Sequence, residues 1–204
     1  MKLEMNNKMI KNIILAVLGA VFLGVGIGMN VKVGIGVDPL SAVYTAFSNL
    51  LNVSVGTVTA VANVIMLVAA LILYKKNVGI ATVIFILVSK WPIDFANKYF
   101  VHSDNLFVSI ILCVFSLVVI ALGCELFMLS NLGANSYDAL VMGIGKRLNH
   151  EVKYVYIRWA CDGICLIVAF LLKGEIGIGT ILSFILLGPF IKKWQAILEK
   201  RLNK

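Results

Sequence analysis

A chain of 204 residues that is 61% hydrophobic and only 14% charged lies outside the range of soluble globular domains. Its mean hydropathy of +0.99 agrees. Spans of roughly 20 residues with short connections use up nearly the whole length, which leaves no room for a soluble domain. The net charge of +8 does not read as a nucleic-acid surface, because the cations gather at segment ends rather than along a stripe with interleaved aromatics. They are topology signals instead.

The first apolar run, residues 13–29, follows Lys2, Lys8 and Lys11. It is too long for a signal peptide and lacks a small-x-small cleavage site, so residues 10–30 read as a retained first span. Further spans are expected at 56–74, 77–95, 106–129, 152–172 and 175–194. Two shorter elements lie between spans, at 38–52 and 135–149. Each follows a glycine-bearing turn and opens on helix-start residues, Asp38 with Pro39 and Asn135 with Ser136. A helix of that length, at about 1.5 Å per residue, is shorter than the hydrocarbon core is thick. These elements are therefore expected to be re-entrant or interfacial. Lys90-Trp91-Pro92 reads as the end of the third span, with Lys90 snorkelling and Trp91 in the interface, and Gly188-Pro189 with Trp194 ends the sixth in the same way.

Residues 36–82 read again at 133–180. Gly36, Ala42, Leu51-Asn52, Val55 and Val58 fall on Gly133, Ala139, Leu148-Asn149, Val152 and Val155, each 97 residues on. After a one-residue slip, Leu73, Lys75, Gly79-Ile80 and Thr82 fall on Leu171, Lys173, Gly177-Ile178 and Thr180. Fused repeats of this kind are a common architecture of secondary transporters, with the site between the copies. The expected fold is an all-α polytopic membrane protein, a single membrane domain over 1–204 with repeat units at about 10–95 and 106–194. It has about six transmembrane helices, three per repeat, with one short re-entrant or interfacial helix in each.

With the N-terminus inside and six spans, the inner face collects Lys2, Lys8, Lys11, Lys75, Lys76, Lys146, Arg147, Lys153, Lys192, Lys193, Lys200, Arg201 and Lys204. The outer face keeps Lys32, Lys98 and Lys173. That asymmetry favours both termini in the cytoplasm. Three spans per copy is an odd number, so the copies are expected to be inverted. Eight crossings would also keep both ends inside, but would move Lys75 and Lys76 outside.

Arg158 and Asp162 stand at i and i+4 of the fifth span, where they can pair within the membrane. Such a pair binds a solute or relays protons at a cavity, or else locks the two halves together. Asp138 and Glu125 are further coupling candidates. First-turn dipole stabilisation is the plainer role for Asp138, and an interfacial position for Glu125. Asn63, mid-span, either makes a helix–helix hydrogen bond or touches a ligand. The glycines at 79 and 177–180 read as sites of close helix approach. Cys113, Cys124, Cys161 and Cys165 lie in apolar stretches without metal or redox spacing, and read as small apolar residues. No catalytic constellation, metal site or cofactor fingerprint is visible, so an enzyme is the weaker class.

The glycine turns and their sequels resemble the YczE/YyaS/YitT family of bacterial integral membrane proteins. The matching pieces are Gly133 to Leu140 (GANSYDAL), Gly177-Ile178-Gly179-Thr180 and Gly188-Pro189, with Gly34-Ile35-Gly36-Val37-Asp38-Pro39 and Gly79-Ile80-Ala81-Thr82 in the first copy. The first copy departs at Ser41, which occupies the place of Asp138. The resemblance implies location and architecture but hardly a substrate; some members are described as permeases. The leading expectation is a permease for a small solute, with helix starts at Asp38-Pro39 and Asn135-Ser136 aimed at an anionic group. The alternatives are a scaffold or accessory subunit docking a partner protein through the basic face at 191–204, and a lipid-acting membrane enzyme. The expected partners are the lipid bilayer and the solute, with homo-oligomerisation open.

Overall fold

A computed structural model describes residues 2–75, 78–148 and 154–202. Lys76, Asn77, Asn149, His150, Val152, Lys153 and Lys204 lie outside them. The described chain is all-helical: α1 (Lys2–Val33), α2 (Pro39–Leu51), α3 (Val55–Tyr74), α4 (Ile80–Val88), α5 (Lys90–Tyr99), α6 (Leu106–Leu129), α7 (Ser136–Arg147), α8 (Tyr154–Leu171) and α9 (Ile178–Leu202). Among the described residues, five stretches are long and apolar enough to cross a bilayer: Met9–Val33, Val55–Tyr74, Ile80–Tyr99, Leu106–Leu129 and Ile178–Lys200. The remaining expected span falls on α8, of which 18 residues are described. The protein is an all-α polytopic membrane protein.

The helix starts follow the local chemistry of the sequence. Asp38 caps α2 by accepting the Ser41 N–H at 3.1 Å, with Pro39 next, and Asn135 caps α7 by accepting the Asp138 N–H at 2.8 Å. Asn105 does the same for α6, accepting from Phe107 and Val108.

The span ends differ from expectation at both prolines. Pro92 does not terminate the third span: α4 and α5 form one helix through Ser89, which keeps helical dihedrals and bonds Phe85 O with its N–H. Pro92 has no N–H to give Val88, so the ladder loses one bond and is perturbed there without stopping. Pro189 likewise lies inside α9, which runs on past Trp194 to Leu202.

α9 also starts at Ile178, so Glu175 falls in the α8–α9 connection rather than in the span. There its backbone N–H donates to Thr45 Oγ1 at 3.1 Å, and its Oε2 has no hydrogen-bond partner. Burial pushes its carboxyl above the usual carboxylate range. A raised folded-state value means that folding favours the protonated form, so stability is fullest below the unfolded value of about 4.3 and falls as pH rises past it. Glu175→Gln should therefore raise the thermal midpoint at pH 8 and leave it unchanged near pH 4, read by thermal unfolding in detergent at both pH values.

α1 and α6 pack antiparallel. Gly19 lies against Gly123 and Phe127, Gly26 against Ile120, and the Cys113 thiol donates to Asn30 Oδ1 at 3.4 Å. Small residues bring these backbones together, as membrane helices require. At one end of the bundle, Lys32 O meets His102 Nδ1 at 3.3 Å, while Ser54 Oγ and Gly56 N–H donate to the Asp94 carboxylate at 2.7 and 2.9 Å. The end of α1, the start of α3 and the end of α5 thus share one end, so α2 returns to the side it came from. At the opposite end, Gly143 packs on Leu73, and Lys146 Nζ stands over the Tyr74 ring. The Ala81 N–H donates to Leu132 O at 3.1 Å. The chain thus approaches α7 from that end, and α7 finishes there. Each short helix returns toward the end of the bundle from which its chain came.

The glycine turns do more than let helices approach. Gly179 N–H donates to Ile35 O at 2.8 Å, and the corresponding contact 97 to 98 residues away is the Ala81 to Leu132 bond. Gly36 (φ +105°) sits on Gly177, and Gly133 (φ +115°) sits on Gly79. A Cβ at either turn would stand 2.5 or 2.6 Å from the facing backbone nitrogen. Thr82 Oγ1 accepts the Gly79 N–H and donates to Ala134 O at 2.6 Å. Thr180 accepts the Gly177 N–H in the same way. Each half's turn is therefore clasped by the start of the other half's last span. α2 packs on α8 and α7 on α3, exchanging partners between halves.

Candidate functional site

The starts of α2 and α7 meet at the centre of the bundle. Three cavities of about 90, 270 and 320 Å³ adjoin there, and all three are lined by Arg158 of α8 and Leu187 of α9. Asp38, Asn135, Asp138, Asp162 and Asn63 each line at least one of them. Six of the seven candidate residues read from the sequence thus line this space.

Arg158 is the hub. Its Nε stands 3.7 Å from Asp162 Oδ2, the i,i+4 contact expected from spacing, but its closer ion pair is from Nη1 to Asp138 Oδ1 on α7. Asp138 Oδ2 accepts from Asn135 Nδ2 at 2.8 Å, which ties the cap of α7 to the ion pair. Asp138 has the first-turn position expected of it, and its ion pair with Arg158 is an addition that sequence spacing did not give. Tyr137 completes the cluster: its hydroxyl donates to Asp162 Oδ1 at 2.5 Å, and the guanidinium carbon lies 5.0 Å from its ring centroid. Hydrogen bonds to an ionised acceptor are the strong kind, worth about 1.5–3 kcal/mol.

Asn63 is buried and donates to Thr59 O at 2.8 Å, with a longer 3.5 Å contact to the Tyr44 hydroxyl. It makes the helix-internal bond and also lines the smallest cavity, as does Tyr44. Glu125 stands apart. It lines none of the three cavities and is 2% exposed, against the interfacial position expected of it. Two residues on from Gly123, it lies on the side of α6 turned away from α1, where α9 packs. The extension of α9 past Pro189 supplies that cover: Trp194 Nε1 donates to Val118 O at 3.1 Å.

The expectation that both helix starts address an anion does not fit the charges. Asp38 and Asp138 place carboxylates of the chain itself at those starts, and Arg158 is engaged by Asp138 and Asp162. Tyr137 and Tyr44 are functional-site residues that the sequence reading passed over. Tyr137, set between Ser136 and Asp138 at a helix start, carried a usable signal, because a tyrosine in the membrane interior needs a hydroxyl partner.

Known proteins match the chain along most of its length. A family model described as a family of unknown function, DUF6198, matches residues 10–196. The chain is 25% identical over 186 residues to YyaS, an uncharacterised protein of Bacillus subtilis, covering 90% of this chain and 92% of that protein. An uncharacterised protein of Haemophilus influenzae is 25% identical over 193 residues, covering 93% of this chain and 86% of that one. No solved structure gives a significant match. The resemblance read from the glycine turns is thereby shown.

Proposed function

The chain belongs to the DUF6198 family, and from the geometry of its central cavity we propose that it is a membrane transporter of a small solute. The observation that carries this reading is that two short helices, entering from opposite ends of the bundle, begin at one polar cavity. Irregular backbone at membrane depth is tolerated where it is buried in protein or lines a water-filled cavity, and discontinuous helices at the midplane are how many carriers build their sites. An intramembrane Arg–Asp cluster is costly anywhere else.

In this reading the halves at about 10–95 and 106–194 are inverted repeats, and the antiparallel α1–α6 pair with its reciprocal clasps supports that relation. Rocking of one half against the other then exposes Arg158 and its partners alternately to the two sides. The lysine asymmetry supports both termini inside, and the bacterial relatives support a bacterial cytoplasmic membrane.

Single cysteines placed along α2 and α7, in a background lacking the four native ones, test the reading with an impermeant thiol reagent applied from each side of the membrane. Positions near the starts of α2 and α7, which share one cavity, should label at depth, and those near the ends of the two helices should label from opposite faces. Labelling of both from one face, or of neither, would remove the pathway, and a docking role through residues 191–204 would take its place.

A further inference from the structure

Resting on the transport reading, we propose that the solute is a small organic ammonium ion and that the Asp38 carboxylate is its anchor. Charge balance is the first ground. Among the described residues lining the three cavities, the carboxylates of Asp38, Asp138 and Asp162 stand against the single guanidinium of Arg158. Arg158 is shared between Asp138 and Asp162. Asp38 lines two of the cavities and forms no ion pair among the described residues. It accepts the Ser41 N–H at 3.1 Å, and the α2 start offers it about half a positive charge, which leaves a negative remainder. An anion would meet a carboxylate at each helix start, in a setting where like charges repel strongly.

The wall is the second ground, and it is independent of the charges. Tyr44, Phe85 and Tyr137 line the cavity that holds Asp38, and aromatic faces attract alkylammonium groups. Tyr44 is 3% exposed, and its hydroxyl oxygen receives only the long 3.5 Å contact from Asn63, so a lone pair remains for an ammonium N–H. Inorganic cations such as calcium ask for six to eight oxygen ligands. A wall of rings and aliphatic side chains does not supply them.

Cys124 lines the same cavity and can report its potential. With Cys113, Cys161 and Cys165 changed to Ser, the full chain in proteoliposomes is treated with three methanethiosulfonates, bearing trimethylammonium, sulfonate or neutral hydroxyethyl groups. Each rate is divided by the rate with a free thiol, and the ratio of cationic to anionic reagent cancels the reactivity of the thiol itself. That ratio should exceed the free-thiol value by about tenfold or more, the range of local enrichment a charged cleft produces. Asp38→Asn should collapse it and Asp38→Glu should keep it. Tetramethylammonium should slow the neutral reagent, while methanesulfonate should not. A ratio at or below the free-thiol value, or one indifferent to Asp38→Asn, overturns the cation assignment while leaving the pathway intact. Failure of all three reagents from both sides overturns the pathway as well.

Discussion

Arg158→Ala should abolish solute binding and lower the thermal midpoint of the purified protein. The guanidinium stands between Asp138 and Asp162 and over the Tyr137 ring. Its removal leaves two carboxylates facing each other in a partly enclosed, low-dielectric space. Breaking a buried pair by deleting one partner costs about 3–5 kcal/mol, and the one-third exposure of this guanidinium places the expected loss toward or below the lower end of that range. The compensated variant Arg158→Ala with Asp138→Asn and Asp162→Asn should recover most of the lost midpoint, because no unpaired charge remains, yet should still not bind. Recovery of binding together with stability would show that the cluster only fastens α7 to α8. A midpoint equal to that of the parent in Arg158→Ala itself would show that the carboxylates do not depend on the guanidinium.

Gly79→Ala and Gly179→Ala should each destabilise the protein by more than an ordinary overpacking substitution, which costs about 1–3 kcal/mol. A Cβ at Gly79 would lie 1.9 Å from Leu132 O, and one at Gly179 would lie 2.0 Å from Gly36 O. Both obstacles are backbone carbonyls within the clasps, so neither can swing aside as a side chain would. Gly79 has extended dihedrals that any residue adopts (φ −143°, ψ −173°), so the cost there is steric rather than conformational. Gly163→Ala and Gly188→Ala serve as controls. Nothing lies within 4 Å of a Cβ at either, and alanine is favoured over glycine in a helix by up to about 1 kcal/mol. Thermal unfolding in one detergent should therefore separate the four variants into two lowered midpoints and two that are unchanged or raised. Equal midpoints across all four would mean that the clasps do not hold the halves together.

Much of this molecule is local and can be read from the chain. Hydrophobic runs set the spans, because the bilayer demands a minimum apolar length. Asp38, Asn135 and Asn105 mark helix starts because their side-chain oxygens satisfy the free N–H groups of a first turn. The spacing of Arg158 and Asp162 puts them on one face of α8 because four residues make about one turn. The matching of residues 36–82 with 133–180 marks out the paired glycine turns before any coordinates are drawn.

What the chain alone leaves open depends on partners distant in sequence. Pro92 and Pro189 look like terminators, but a helix packed among neighbours loses one bond and continues. Glu125 looks interfacial until α9, carried past Pro189, packs along α6. Asp138 reads as a first-turn residue of α7, and only the packing of α7 beside α8 makes it the closer partner of Arg158. The charge pattern of the cavity is likewise a tertiary property: among the described residues, Asp38, Asp138 and Asp162 come from three separate helix starts and faces to line it with Arg158. Composition, periodicity and capping thus determined most of the elements. The docking of each half's turn into the other decided which side chains share the cavity, because that contact is fixed by close backbone approach at glycines some fifty to one hundred and forty residues apart.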